Sequence, residues 1–183
     1  MGYLDTGSVD ELAHQLSISP RQLSRLFRRH VGATPAVVAR TRRLHFAKQL
    51  LDETALPLNE ICYAAGFGSI RRFNEVFQTC YGMGPRSVRR RPNTLQDDST
   101  GVSLKLTFRP PFDWGQMLNF FSRRAIPGVE LVTGTTYRRT FTWAGKTGDL
   151  ALSFRPDVNW ADLRIRFSDT SELLFLVEKI RIL

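Results

Sequence analysis

Cysteine and histidine are scarce in this chain of 183 residues, which has two Cys and three His. Two thiols, Cys62 and Cys80, are too few for a disulfide scaffold or a four-ligand zinc site. His14, His30 and His45 show no metal-ligand spacing, so no metal and no cofactor is expected. No apolar run approaches the roughly 18 residues of a membrane span, which removes a membrane partner. The stretch from Asp5 to Glu11 is polar, and no signal peptide is expected. Negative charge is also short. There are 17 Asp and Glu against 26 Lys and Arg, a net charge of +9 and a pI near 10.4. What is present in quantity is apolar: 42% hydrophobic and 11% aromatic residues exclude wholesale disorder. The expectation is one or two folded domains, cytoplasmic and nucleoid-associated, with a polyanion among the partners.

The positive charge is unevenly placed. Residues 1–92 hold 14 Lys and Arg and 7 Asp and Glu, a net of +7, while residues 93–183 hold 12 and 10, a net of +2. Between them runs a polar stretch from Asn93 to Gly101, following Arg89-Arg90-Arg91-Pro92, which closes a helical region. This predicts a basic helical domain over 1–92, a linker over 93–101, and a nearly neutral domain over 102–183.

The first part repeats itself. Ser19 and Ser69, Leu23 and Phe73, Phe27 and Phe77, Gly32 and Gly82, and Pro35 and Pro85 recur at a spacing of 50. A fixed period with matching punctuation means one structural unit built twice. Each unit is delimited by its caps. Ser8 and Glu11 form a capping box before Leu12, Ala13 and Leu16. Ser19-Pro20 starts a second helix, with proline at the position where its missing N–H does no harm. Leu23, Leu26 and Phe27 are expected to face inward, and Gly32 to close the helix. Two short helices and a tight turn make a helix-turn-helix. The second unit runs from Leu58 to Ala65, turns at Gly66-Phe67-Gly68, restarts at Ser69 and ends at Gly82, with Phe73, Val76 and Phe77 inward. A helix from Pro35 to about Glu53, capped by Thr34, joins the units. Its Val37, Val38, Leu44, Ala47, Leu50 and Leu51 are expected to be buried.

The second helix of each unit bears on function. Burying Leu23, Leu26 and Phe27 leaves Arg21, Gln22, Ser24, Arg25, Arg28 and Arg29 outward. In the second copy the outward set is Arg71, Arg72, Asn74, Glu75 and Gln78. Arg, Gln and Asn near a helix N-terminus suit base edges in a major groove, and arginines a turn later suit phosphates. Double-stranded DNA is therefore the expected partner. Arg21, Gln22, Ser24, Arg25, Arg71, Asn74 and Glu75 are assigned to base reading, and Arg28, Arg29 and Arg72 to phosphates. A solvated helix face explains one such cluster equally well; two at equivalent points of a repeat favour DNA.

The run Ile61-Cys62-x-x-Ala65-Gly66-Phe67-x-Ser69-x-x-x-Phe73-x-x-x-Phe77, then Gly82-x-Gly84-Pro85, resembles the C-terminal signature of AraC-type transcription regulators. The resemblance covers residues 8–91. It implies a tandem helix-turn-helix and adds RNA polymerase as a candidate partner. Cys62 stands where the family usually has alanine and Gly84 where it often has threonine, so Cys62 is expected to be a small core residue.

In the second part, Val102, Leu104, Leu106 and Phe108 alternate as a half-buried strand. Asp113 caps a helix from Trp114 to Ala125, and Val129 to Thr133 is a short strand. Tyr137 to Trp143 and Leu150 to Phe154 form a hairpin around Ala144-Gly145-Lys146-Thr147-Gly148. Leu163, Ile165 and Phe167 mark another strand, and a helix begins near Ser171. The order β-α-β-β-β-β-α predicts an α+β domain with an antiparallel sheet. The fold class is thus multidomain: an all-α tandem helix-turn-helix domain followed by a small α+β antiparallel-sheet domain. No catalytic residue is expected. This part has no His or Cys, and Gly145-Lys146-Thr147 is no phosphate loop. Asp113, Glu130, Asp149, Asp157, Asp162 and Asp169 each fit a cap or turn.

Leu104-x-Leu106-x-x-Arg109-Pro110-Pro111-Phe112-Asp113-Trp114-x-x-Met117-Leu118-x-Phe120-Phe121, with Arg124-Ala125-Ile126-x-Gly128-Val129-Glu130 and Tyr137-x-Arg139, is similar to the N-terminal domain of AlkA-type 3-methyladenine DNA glycosylases. In that family the chemistry belongs to a following helix-hairpin-helix domain, which supplies the catalytic Asp and the pocket for a flipped base. The combination resembles the middle of bifunctional Ada/AlkA proteins of the alkylation response, without their cysteine-rich methyl acceptor. The expected function is a sequence-specific DNA-binding transcription regulator of that response, not itself an enzyme. Two alternatives stand beside it. One is a fragment of a 3-methyladenine glycosylase. The other is a regulator responding to a small-molecule effector, its pocket lined by Phe112, Trp114, Phe141 and Trp143.

Overall fold

A computed structural model describes residues 8–89 and 101–182. The expected linker lies outside the described residues except for Gly101. The chain divides into two compact units, Met1–Arg91 with Thr170–Leu183, and Pro92–Asp169.

The helical unit opens with α1 (Val9–Gln15) and α2 (Pro20–Val31). The long α3 (Pro35–Glu53) follows, then α4 (Leu58–Ala64), α5 (Ile70–Tyr81) and α6 (Pro85–Val88). The caps decide these limits. Ser8 Oγ accepts from Glu11 N–H at 3.0 Å while the Glu11 carboxylate accepts from Ser8 N–H at 2.7 Å. Ser19, Thr34 and Ser69 each accept from the N–H three residues on. Gly32 and Gly82 end α2 and α5 at φ 77° and 73°, the left-handed conformation that a side chain disfavours.

Leu44, Ala47, Leu50 and Leu51 of α3 are buried, as are Ala13, Leu23, Ile61, Cys62 and Ala64 of the neighbouring helices. Phe67, Phe73, Phe77 and Tyr81 form a chain of rings with centroids 5.2, 5.5 and 4.6 Å apart. Each such pair is worth about 0.5–1.5 kcal/mol beyond its burial. Cys62 is fully buried, and that burial pushes its thiol up.

The buried faces of these helices are narrower than expected. Leu26 is 39% exposed and Val37 38% exposed. On α2 the buried position is Leu23, with Phe27 half-buried one turn on, so Leu26 sits at the edge of the stripe. Val76 and Val38 are likewise only half-buried.

The second unit is a five-stranded antiparallel sheet of order β1-β5-β4-β3-β2. The strands are β1 (Val102–Thr107), β2 (Glu130–Thr133), β3 (Thr136–Trp143), β4 (Lys146–Phe154) and β5 (Trp160–Arg166). Helix α7 (Trp114–Arg124) packs on β2 and β3. One register row crosses the sheet through Leu104, Leu163, Leu152, Tyr137 and Val132. Phe121 of α7 stacks on Tyr137 at 4.5 Å. The turn between β3 and β4 is shorter than expected. Ala144 and Gly145 alone make it, both at positive φ, and Lys146 to Gly148 already belong to β4. Gly148 is required there, because a Cβ would lie 2.7 Å from the Arg166 carbonyl oxygen and from the Phe141 ring.

A 3-10 turn (Thr170–Glu172) leads into α8 (Leu173–Ile180). The sequence assigns this helix to the second domain; in the structure it groups with the helical unit. The turn packs against α4, and Glu178 accepts from Arg42 of α3 at 2.7 Å. Leu174 and Val177 line a hollow of about 330 Å³ with Phe46 and Gln49.

Candidate nucleic-acid interface

The capped starts of α2 and α5 fix where their outer faces point. With Leu23 and Phe73 locked in the core, Arg21, Gln22, Arg25, Arg71 and Asn74 stand exposed along the N-terminal half of each helix. Ser24 is half-buried, so of the expected readers on α2 it is the least accessible. Arg28, Arg29 and His30 are exposed in the last turn of α2, where the helix dipole favours cations.

The two copies differ in charge. Among the described residues no acidic partner faces Arg21, Arg25, Arg28 or Arg29. In α5, Arg71 Nε donates to Glu75 Oε1 at 3.3 Å, with both side chains largely exposed. The second reading helix therefore arrives with one of its arginines already engaged. Glu75 is spaced one turn after Arg71, which makes this pairing a consequence of helical geometry.

The sequence reading leaves out Arg40 and Arg43. Both lie on α3, three residues apart, on one face. With Arg72 they line a cleft of about 590 Å³ that also involves Ser8, Val37 and Ser69. The Arg43 side chain lies so close to the turn of the second helix-turn-helix repeat that a Cβ at Gly66 would lie 3.4 Å from Arg43 Nε. That Nε is buried without a hydrogen-bond partner among the described residues. The signal available in the sequence was the cluster Arg40-Thr41-Arg42-Arg43 on the linking helix. It divides only once the helix is placed, with Arg40 and Arg43 on the cleft and Arg42 on Glu178.

Five described carboxylates of the sheet unit are held in structural bonds. Asp113 caps α7 by accepting from Gln116 N–H at 2.8 Å. Three others lie on strands rather than in caps or turns: Asp149 meets Arg166, Asp162 meets Arg155, and Glu130 meets Arg139. Asp169 bonds Lys146 at 2.8 Å. Glu130 also accepts from Tyr137 Oη at 2.8 Å and from Ile126 N–H at 3.1 Å. These donors hold the Glu130 carboxyl below its ordinary value, the Tyr137 bond first. Burial, then the bond to Glu130, pushes Tyr137 up to about 12.

The aromatics offered for an effector pocket separate into two groups. Phe112 and Trp114 pack with Phe108 and Phe154 at the end of β4. Phe141 packs on Phe167 near its start. Among the described residues, no group of three or more His, Cys, Asp and Glu could hold a metal ion. No described helix is long and apolar enough to cross a membrane.

Comparison with known proteins gives two family matches. Residues 12–91 match a helix-turn-helix domain and residues 103–183 match the AlkA N-terminal domain. A protein of Mycobacterium tuberculosis, "Probable bifunctional transcriptional activator/DNA repair enzyme AlkA", is 36% identical over 160 residues, 85% of this chain and 32% of its own length. The regulator GlxA of Rhizobium meliloti is 40% identical over 80 residues, 44% of this chain and 25% of its own. The chain thus spans about a third or less of the length of these relatives. An AraC-type regulator structure from Chromobacterium violaceum is 34% identical over 45% of this chain and 74% of that one, with a TM-score of 0.43.

Proposed function

From a chain that carries an AraC-type helix-turn-helix domain followed by an AlkA N-terminal domain, we propose a sequence-specific DNA-binding transcription regulator of the alkylation-damage response. The observation that carries the reading is the pair of exposed, capped helices α2 and α5 at equivalent points of the repeat. Each enters a major groove, the two about one turn of roughly 10 base pairs apart, because α3 fixes their separation. Arg21, Gln22 and Arg25 donate to purine edges, while Arg28, Arg29 and Arg72 hold phosphates. RNA polymerase is the protein partner such an activator would recruit. The sheet unit serves as scaffold, with Asp113, Glu130, Asp149, Asp162 and Asp169 engaged in a cap and in ion pairs.

The test is a comparison of two arginines on a duplex selected from a random pool and on random duplex. Arg21→Ala weakens the selected site by about 1–3 kcal/mol and relaxes preference at one position. Arg29→Ala weakens both duplexes alike and makes the salt dependence shallower. Identical behaviour of the two variants on both duplexes would remove the base-reading assignment.

A further inference from the structure

The cleft between α3 and the start of α5 has a composition unlike the core around it. Arg40, Arg43 and Arg72 converge on it, and none of the described residues lining it is acidic. Its remaining walls are small or apolar, with Val37 and Phe67 among them. Val37 is 38% exposed there. Three arginines lining one hollow concentrate positive charge there, which favours an anion. Arg43 sharpens the point. Its Nε–H is buried with no acceptor among the described residues, and a buried donor left unmade is costly. Arginine presents its donors in a planar fork that fits the oxygens of a phosphate.

Position selects the source of that phosphate. The cleft is bounded by Ser8 and Val9 of the first repeat unit, by α3, and by Ser69 and Arg72 of the second. It therefore lies where the two helix-turn-helix repeats meet, inside the helical unit. A duplex entered by α2 and α5 in successive major grooves turns the backbone between those grooves toward the surface between the units.

We propose that this cleft is a third DNA contact, in which Arg40, Arg43 and Arg72 seat a phosphodiester of the backbone that runs between the two major grooves. The proposal rests on the reading of α2 and α5 as groove-entering helices and adds linking-helix arginines to it. Arg43 and Arg72 receive the phosphate from the α3 and α5 walls, and Arg40 closes over it. The contact fixes the spacing of the two reading helices on the duplex without reading sequence itself.

The experiment uses the whole chain and a duplex selected from a random pool, with single methylphosphonate linkages placed one at a time between the two half-sites. For the unaltered protein, one or two central linkages should each lower affinity several-fold. Arg40→Gln should lower affinity on the unmodified duplex and reduce the slope of log K against log salt by about one. On the duplex with the sensitive linkage it should add no further loss. Arg43→Lys keeps the charge but not the fork, and guards against a variant that fails to fold. It should melt normally and still lose affinity. The proposal is overturned if Arg40→Gln and Arg43→Lys bind as the unaltered protein does while Arg21→Ala remains defective; the groove reading then survives alone. If Arg21→Ala is also without effect, the groove reading fails with it. Inorganic phosphate that shifts the Arg40 and Arg43 side-chain resonances, with no central linkage mattering for DNA, would assign the cleft to a free anion and equally overturn it.

Discussion

At the scale of single residues, the two reading helices differ most at Glu75. Its carboxylate holds Arg71 at 3.3 Å on a face that is otherwise cationic. An exposed pair of this kind is worth about 0–1 kcal/mol, so it is weak enough for DNA to break. Glu75→Ala should leave thermal stability nearly unchanged, free Arg71, and raise affinity for random duplex. The ratio of specific to non-specific binding should fall, as measured by titrating both duplexes at one salt concentration. The Glu130–Tyr137 pair makes a separate prediction about pH. Glu130 titrates below its ordinary value, so its contribution is present above the ordinary carboxylate range and is lost as pH falls through that range. Tyr137 titrates above its ordinary 10.0, so its contribution is present below 10.0 and is lost as pH rises toward about 12. Stability should therefore decline at both ends. Tyr137→Phe should lower the melting temperature at neutral pH, flatten both limbs, and remove the last-titrating component from a phenolate absorbance titration.

Among the elements, the helix limits were legible because they are written in short-range chemistry. Ser8, Ser19, Thr34 and Ser69 cap, and Gly32 and Gly82 terminate, all within a few residues of the groups they satisfy. The strands were legible for a similar reason, since alternation from Leu104 to Leu106 or Leu150 to Leu152 needs no partner to be seen. Leu26 and Val37 were not legible. Periodicity shows which face of a helix is apolar, but the width of the buried stripe depends on how closely the neighbours approach. The hairpin turn was overestimated because Ala144 takes φ 49°, a conformation the sequence does not advertise for alanine. Arg40 and Arg43 escaped notice because a cation on a linking helix reads as a solvated residue until the opposite wall is known. At α8 the family match and the packing divide the chain differently: the AlkA N-terminal match runs to residue 183, while Thr170–Leu183 groups with the helical unit. The apolar residues of α8 demand burial, but nothing in them names the surface that supplies it. The glycine caps give a direct test. Gly82 meets nothing within 4 Å at an added Cβ, so only the backbone conformation opposes a side chain there. Gly82→Ala should destabilise by about 1 kcal/mol, seen as a lower melting temperature with DNA contacts intact.

Across the whole molecule, charge and core are divided along different lines. The charge divides by sequence: residues 1–92 carry a net of +7 and the remainder +2. The core divides otherwise, because Thr170–Leu183 joins the helical unit. That segment brings Glu172 and Glu178 together with Lys179 and Arg181, so it adds apolar surface without changing the balance of charge. Leu174 is 5% exposed and lies beside the Gly66 turn and the Arg42–Glu178 ion pair. Truncating it removes packing from the unit that binds DNA but no cation. Leu174→Ala should therefore cost about 2–5 kcal/mol, as buried leucines do, and appear as a lower melting temperature of the helical unit. At temperatures where the variant is folded, its salt dependence of DNA binding should equal that of the unaltered chain, since counterion release follows the number of phosphates neutralised. A stability loss with an unchanged slope would mean that α8 supports the DNA-binding unit as a structural brace. A changed slope at full stability would mean instead that α8 sets the position of phosphate-binding arginines, and the division between core and charge drawn here would fail.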